Sequence, residues 1–133
     1  MDKIKLVAIL RGIRPAEAAE HIETLIEAGF RYIEIPLNSP DWQQSIPQMV
    51  ARFGEQAVIG AGTVLKVEQV DFLADAGAKL IVTPNTEPTT IRRAVARGMR
   101  VCAGCATATE AFNALDAGAQ ALQVFPSSAL GPD

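Results

Sequence analysis

Apolar residues in this chain come in short blocks rather than in single alternation. Mostly apolar runs at residues 6–10, 32–35, 57–59, 80–83, 100–102 and 121–125 have the pattern of strands covered on both faces. The longer stretches between them, 16–28, 42–53, 67–76, 89–97 and 108–117, predict helices. Ile22, Leu25 and Ile26 show the helical spacing of an apolar stripe. Pro15 falls in a first helical turn, where its missing N–H costs nothing. Ser39-Pro40-Asp41 and Thr107 supply cap chemistry ahead of the second and fifth helices. Gly29, Gly54, Gly77, Gly98 and Gly118 end the helical stretches at spacings of 25, 23, 21 and 20 residues, about one strand-plus-helix unit. Four of them, Gly29, Gly77, Gly98 and Gly118, suit left-handed C-caps.

Strict alternation of strand and helix implies a parallel sheet with right-handed crossovers. Five and a half units leave two architectures open: a small open α/β sheet, or most of an eight-unit barrel. At 133 residues one domain, residues 1–133, is expected, without a linker or low-complexity stretch.

Composition narrows the partners. A net charge of −3 and no basic run longer than Arg92-Arg93 argue against nucleic acid. Charge interrupts every apolar stretch, so no membrane span is expected, and the opening Met1-Asp2-Lys3-Ile4-Lys5 lacks a signal-peptide pattern. Two cysteines fit a reducing compartment, and the expectation is a cytoplasmic protein.

In parallel α/β folds ligands gather at the carboxyl ends of the strands. Those ends read Leu10-Arg11-Gly12, Ile35 to Pro40, Gly60-Ala61-Gly62-Thr63, Thr83-Pro84-Asn85, Ala103 to Thr107 and Phe125 to Ser128. Glu34 is the strongest candidate, a carboxylate between Ile33 and Ile35. It is either a buried structural ion pair or an edge-strand surface charge, or a group tuned for proton transfer. Arg11 is a solvated charge, a partner for Glu34, or a clamp for a substrate carboxylate. Gly60-Ala61-Gly62-Thr63 offers backbone N–H groups and a hydroxyl beside it. Cys102 and Cys105 have a C-x-x-C spacing, but in an extended segment their side chains face opposite ways. They read as small strand residues. His21, the one histidine, reads as a solvated helix residue, so a Ser-His-Asp triad or a histidine-rich metal site is not expected.

Five segments at successive strand ends carry a resemblance: Ala8 to Gly12, Glu34 to Pro40, Gly60 to Val64, Val82 to Asn85 and Val124 to Ser128. Together they resemble the 2-dehydro-3-deoxy-phosphogluconate/phosphogalactonate aldolase family, and Ile35-Pro36-Leu37-Asn38-Ser39-Pro40 resembles its phosphogalactonate branch. The resemblance implies a TIM-type (β/α)8 barrel assembled as a homotrimer. It also implies a class I lyase of galactonate degradation, splitting a phosphorylated sugar acid into pyruvate and glyceraldehyde 3-phosphate without metal or organic cofactor. By the same resemblance Glu34 is the general acid/base, and Arg11 and Thr63 hold the pyruvate-end carboxylate.

Two departures qualify this. The family's Schiff-base lysine stands two residues before the Phe125-Pro126 pair, where this chain has Gln123. An amide nitrogen is delocalised into its carbonyl and cannot form the imine, although Gln123 can hydrogen-bond a substrate carbonyl. Lys3, Lys5 and Lys79 precede strands, at the wrong rim, and Lys66 reads as a solvated side chain at a helix start. The family also continues through two more strands whose loops hold the substrate phosphate. The expectation is therefore a barrel truncated after about six parallel strands and five helices, poorly stable alone or associating through its edges. Its function is that of an impaired aldolase, or of a non-catalytic carboxylate-binding or assembly remnant.

Overall fold

A computed structural model describes residues 7–105 and 107–124, with side chains at 7–104 and 107–121. Six strands alternate with five helices: β1 Ala8–Ile9, α1 Pro15–Glu27, β2 Tyr32–Pro36, α2 Trp42–Phe53, β3 Val58–Gly62, α3 Val67–Asp75, β4 Leu80–Thr83, α4 Pro88–Ala96, β5 Arg100–Cys105, α5 Ala108–Asp116 and β6 Ala121–Val124. Every expected element forms, with shifted ends. The first strand is shorter than residues 6–10 implied, and residues 6 and 125 lie outside the described residues.

All five pairings are parallel, and the spatial order is β1-β2-β3-β4-β5-β6. That order decides between the two architectures. A doubly wound sheet reverses direction at a switch point and needs non-consecutive neighbours. Consecutive order with right-handed crossovers keeps every helix on one face, the winding of a barrel.

Alternation along each strand then divides the sheet. Ile33, Ile35, Ile59, Ala61, Ile81, Val101 and Ala103 face the helices and join Ile22, Ile46, Leu73 and Ile91 in one buried core. Burying each such isoleucine or leucine stabilises the fold by roughly 1.5–3 kcal/mol. The intervening residues, among them Tyr32, Glu34, Gly60, Gly62, Leu80 and Val82, fall on the opposite, concave face. Cα atoms of β2 and β4, which are not neighbours, approach within 8 Å. In a flat sheet they would lie about 9.6 Å apart. Gly60 helps to make this curvature possible, since a Cβ there would stand 1.9 Å from the Leu80 carbonyl oxygen.

The local signals act as their chemistry dictates, with one exception. Pro15 is the first residue of α1, and the Thr107 hydroxyl accepts from the Glu110 N–H in a capping box at α5. Gly29, Gly77, Gly98 and Gly118 adopt positive φ, whereas Gly54 ends α2 in a right-handed conformation. The exception is Asp41, which precedes α2 at φ 53° and makes no side-chain cap. Its left-handed backbone turns the β2–α2 loop instead, a role that Asp tolerates better than most residues. On α5, Phe112 is 71% exposed and Leu115 49%, so one apolar face of the last helix has no cover among the described residues. No helix among them is long and apolar enough to cross a membrane.

Candidate active site

The carboxyl ends of β1 to β4 enclose a cavity of about 460 Å³ lined by Ile9, Arg11, Gly12, Glu34, Pro36, Asn38, Thr63, Val82, Thr83 and Pro84. Three candidates that are far apart in the chain, Arg11, Glu34 and Thr63, thus meet in one space. The fourth, Gln123, pairs with Gly104 in the β5–β6 register. Its side chain lies outside the described residues, as do the side chain of Cys105 and residues 125–128.

Glu34 is only 4% exposed, because the strand that carries it is covered along its length. Its Oε2 is buried without a hydrogen-bond partner. Burial raises the carboxyl pKa from 4.5 to about 7, and the nearby positive charge of Arg11 opposes that rise. Arg11 makes neither a hydrogen bond nor an ion pair with it. The buried ion pair weighed for Glu34 is therefore not formed, and Arg11 is exposed at the cavity mouth. A carboxyl poised near neutrality can both give and take a proton at physiological pH. An uncommitted guanidinium beside it can take a substrate anion bidentately.

Thr63 follows β3 with φ 55°, in the left-handed region. For a β-branched residue this is a strained backbone, of the kind that persists where surrounding structure enforces it. Its neighbours do so: the Leu37 N–H donates to the Gly62 carbonyl at 2.9 Å, and the Val64 N–H to the Val82 carbonyl at 3.4 Å. The strain lies on the cavity wall.

The lining also contains residues that had no role assigned from sequence: Ile9, Gly12, Pro36, Asn38, Val82, Thr83 and Pro84. Their signal was position at a strand end, within the segments that carry the family resemblance. Thr83 donates its hydroxyl to the Asn85 carbonyl at 2.8 Å, and Thr86 donates to the Gly104 carbonyl at 2.6 Å. These bonds fold the β4–α4 loop over the rim and fasten it to β5. Elsewhere, Lys66 is exposed ahead of α3 and outside the cavity lining, Lys79 is exposed at the opposite rim, and His21 is exposed on α1. The described residues hold no cluster of three His, Cys, Asp or Glu able to bind a metal ion.

Residues 1–132 match the family described as Aldolase: KDPG and KHG aldolase. The chain belongs to this family. It is 65% identical over 130 residues to 2-dehydro-3-deoxy-6-phosphogalactonate aldolase of Escherichia coli (strain K12), covering 98% of this chain and 63% of that protein. A solved structure described as native KDPGal superposes with a TM-score of 0.95 at 64% identity, covering 99% of this chain and 64% of the other. A designed cube-shaped porous cage, made by fusing symmetric oligomeric domains, matches with a TM-score of 0.94 at 65% identity, covering 98% of this chain and 48% of the other. The chain therefore spans less than two thirds of the length of each of these proteins. The TIM-type fold expected from the strand order is the fold of its aldolase neighbours.

Proposed function

We propose that this chain carries the acid/base and carboxylate-binding part of a class I aldolase site. The parent reaction is cleavage of 2-dehydro-3-deoxy-6-phosphogalactonate to pyruvate and glyceraldehyde 3-phosphate. The observation that carries the reading is the convergence of an unpaired, buried Glu34 with Arg11 and Thr63 on one cavity. In this reading Arg11 and the Thr63 hydroxyl hold the pyruvate-end carboxylate. Glu34 moves the proton that must leave the hydroxyl when the carbon–carbon bond breaks, and its near-neutral pKa suits both directions of transfer. The assembly is a homotrimer by family resemblance, and the match to a cage of symmetric oligomeric domains supports an oligomer. The compartment is the cytoplasm, on the reducing-compartment reading of two cysteines.

Gln123 favours a second reading, in which the chain binds carboxylates without turnover or serves only in assembly. The family's covalent step needs an amine to form an imine, and an amide supplies none. Incubation with pyruvate followed by borohydride reduction and mass spectrometry separates the two. The expected result is no lysine adduct on this chain, and an adduct in a Gln123→Lys chain extended with the family's remaining strands. That extended chain should cleave the sugar acid, and Glu34→Gln within it should remove turnover. An adduct on Lys66 of the unaltered chain would overturn the assignment of Gln123.

A further inference from the structure

The concave face of β3 carries no side chain at Gly60 or Gly62, and the two vacancies have different neighbours. At Gly60 a Cβ would meet the Leu80 backbone. At Gly62 its three nearest heavy atoms would all belong to Glu34: Oε2 at 1.5 Å, Cδ at 2.5 Å and Oε1 at 2.8 Å. The Glu34 carboxyl thus occupies the space where a residue-62 side chain would be. Gly62 is not needed there for its backbone. It is the last residue of a regular parallel strand, paired with Pro36, and its φ is not positive. Any residue could adopt that conformation, so the absence of a side chain calls for a steric reason.

We infer that Gly62 is a positioning residue for Glu34: its bare Cα is the seat that holds the carboxyl buried on the β3 side of the cavity, away from the Arg11 guanidinium. This rests on the assignment of Glu34 as the proton-transfer group for its functional meaning, although the seat itself is a matter of geometry. A flexible glutamate filling the seat explains three observations together. The carboxyl is almost fully removed from water, Oε2 has no hydrogen-bond partner, and no ion pair forms with Arg11 although both residues line one cavity. Among the described residues Arg11 is the one cation in that lining. A methyl group at position 62 would push the carboxyl out of the seat, toward the open cavity and toward Arg11.

The test is a double-substitution cycle on this chain, using Gly62→Ala, Glu34→Ala and both together. Gly62→Ala should lower the melting temperature by on the order of 5–10 °C while Glu34 is present, as overpacking does. With Glu34→Ala the same change should cost almost nothing, because the three clashing atoms are gone. If Gly62→Ala does not fold, folding of the double variant still supports the seat, and failure of both overturns it. The second readout is the Glu34 carboxyl 13C signal followed against pH. In Gly62→Ala its midpoint should fall from about 7 toward 4.5, a change that loosened packing elsewhere would not produce. Additive melting temperatures, or an unmoved midpoint in a folded variant, would overturn the proposal. None of these readouts requires turnover, so the outcome stands apart from whether the aldolase reading holds.

Discussion

The Tyr32 hydroxyl and the Arg100 guanidinium meet across two intervening strands: Nη1 donates to the phenol oxygen at 3.1 Å, and the guanidinium carbon stands 5.6 Å from the ring centroid. In a flat sheet β2 and β5 would be separated by about 14 Å, and two side chains rising in parallel from them would not touch. The contact is a consequence of the sheet curling toward its concave face. It sits one residue pair below Glu34 on β2, at the end of the barrel away from the cavity.

Replacing Tyr32 by Phe keeps the ring under the guanidinium and removes the hydroxyl. Urea denaturation should show a loss of about 1 kcal/mol, the net contribution of one partly buried hydrogen bond. The slope of the transition should not change. An unchanged midpoint would mean that the hydroxyl is equally well solvated when the sheet is unfolded.

Glu34 makes stability depend on pH in a direction opposite to most carboxylates. Its folded pKa, about 7, lies above its value of 4.5 outside the fold. Between those values the unfolded chain has lost the proton that the folded chain retains. The contribution is fully present below 4.5 and is lost as pH rises through 7, with a limit of roughly 3 kcal/mol. Glu34→Gln should therefore raise the melting temperature at pH 8 much more than at pH 5. Equal shifts at both would contradict the elevated pKa.

Thr63 holds a left-handed backbone at φ 55°, which for an ordinary L-residue costs roughly 1–2 kcal/mol. Asparagine tolerates that region, so Thr63→Asn should stabilise the chain by about 1 kcal/mol in chemical denaturation. Under the proposed function, the same variant should bind pyruvate about fivefold less tightly through loss of the hydroxyl contact. A variant that is both more stable and a weaker binder is the expected signature of strain kept for a site. Calorimetric titration measures the second part.

On the outer surface, Asp71 of α3 accepts from Arg93 Nε at 2.8 Å and Nη2 at 2.9 Å, and from Arg97 Nη1 at 2.9 Å. The hydrogen bond from Arg93 is the largest of the effects holding the Asp71 pKa below its usual value. The contribution of this pair is present above 3.8 and fades as pH falls through the lowered value. Asp71→Asn should lower the melting temperature slightly at low salt. The difference should shrink at about 1 M salt, where screening extends to only ~3 Å. A salt-independent difference would point to packing rather than charge.

The alternation of strands and helices and the rim that carries the site came from signals with a local cause. Apolar runs such as 80–83 in β4 form strands because they are covered on both faces, and Gly29 or Gly98 stops a helix because its backbone takes positive φ. Such effects act within a few residues, so they are written in consecutive letters. Position at the carboxyl ends of successive strands then put Arg11, Glu34 and Thr63 on one rim. Asp41 was misread for the complementary reason. Its letters suit a cap, but the path of the β2–α2 loop demanded a left-handed turn there.

What the sequence by itself determined was the order and type of the elements and the rim that carries the small and polar residues. Tertiary structure alone decided the rest. Consecutive strand order made the sheet curl, and curvature brought β2 and β5 close enough for Tyr32 to meet Arg100. The same curvature and the bare Cα of Gly62 buried the Glu34 carboxyl without a partner, which sets its pKa near neutrality. Desolvation depends on everything packed around a group, whatever its distance along the chain. That is why Glu34 could be singled out from its neighbours in sequence, while its proton affinity required the fold.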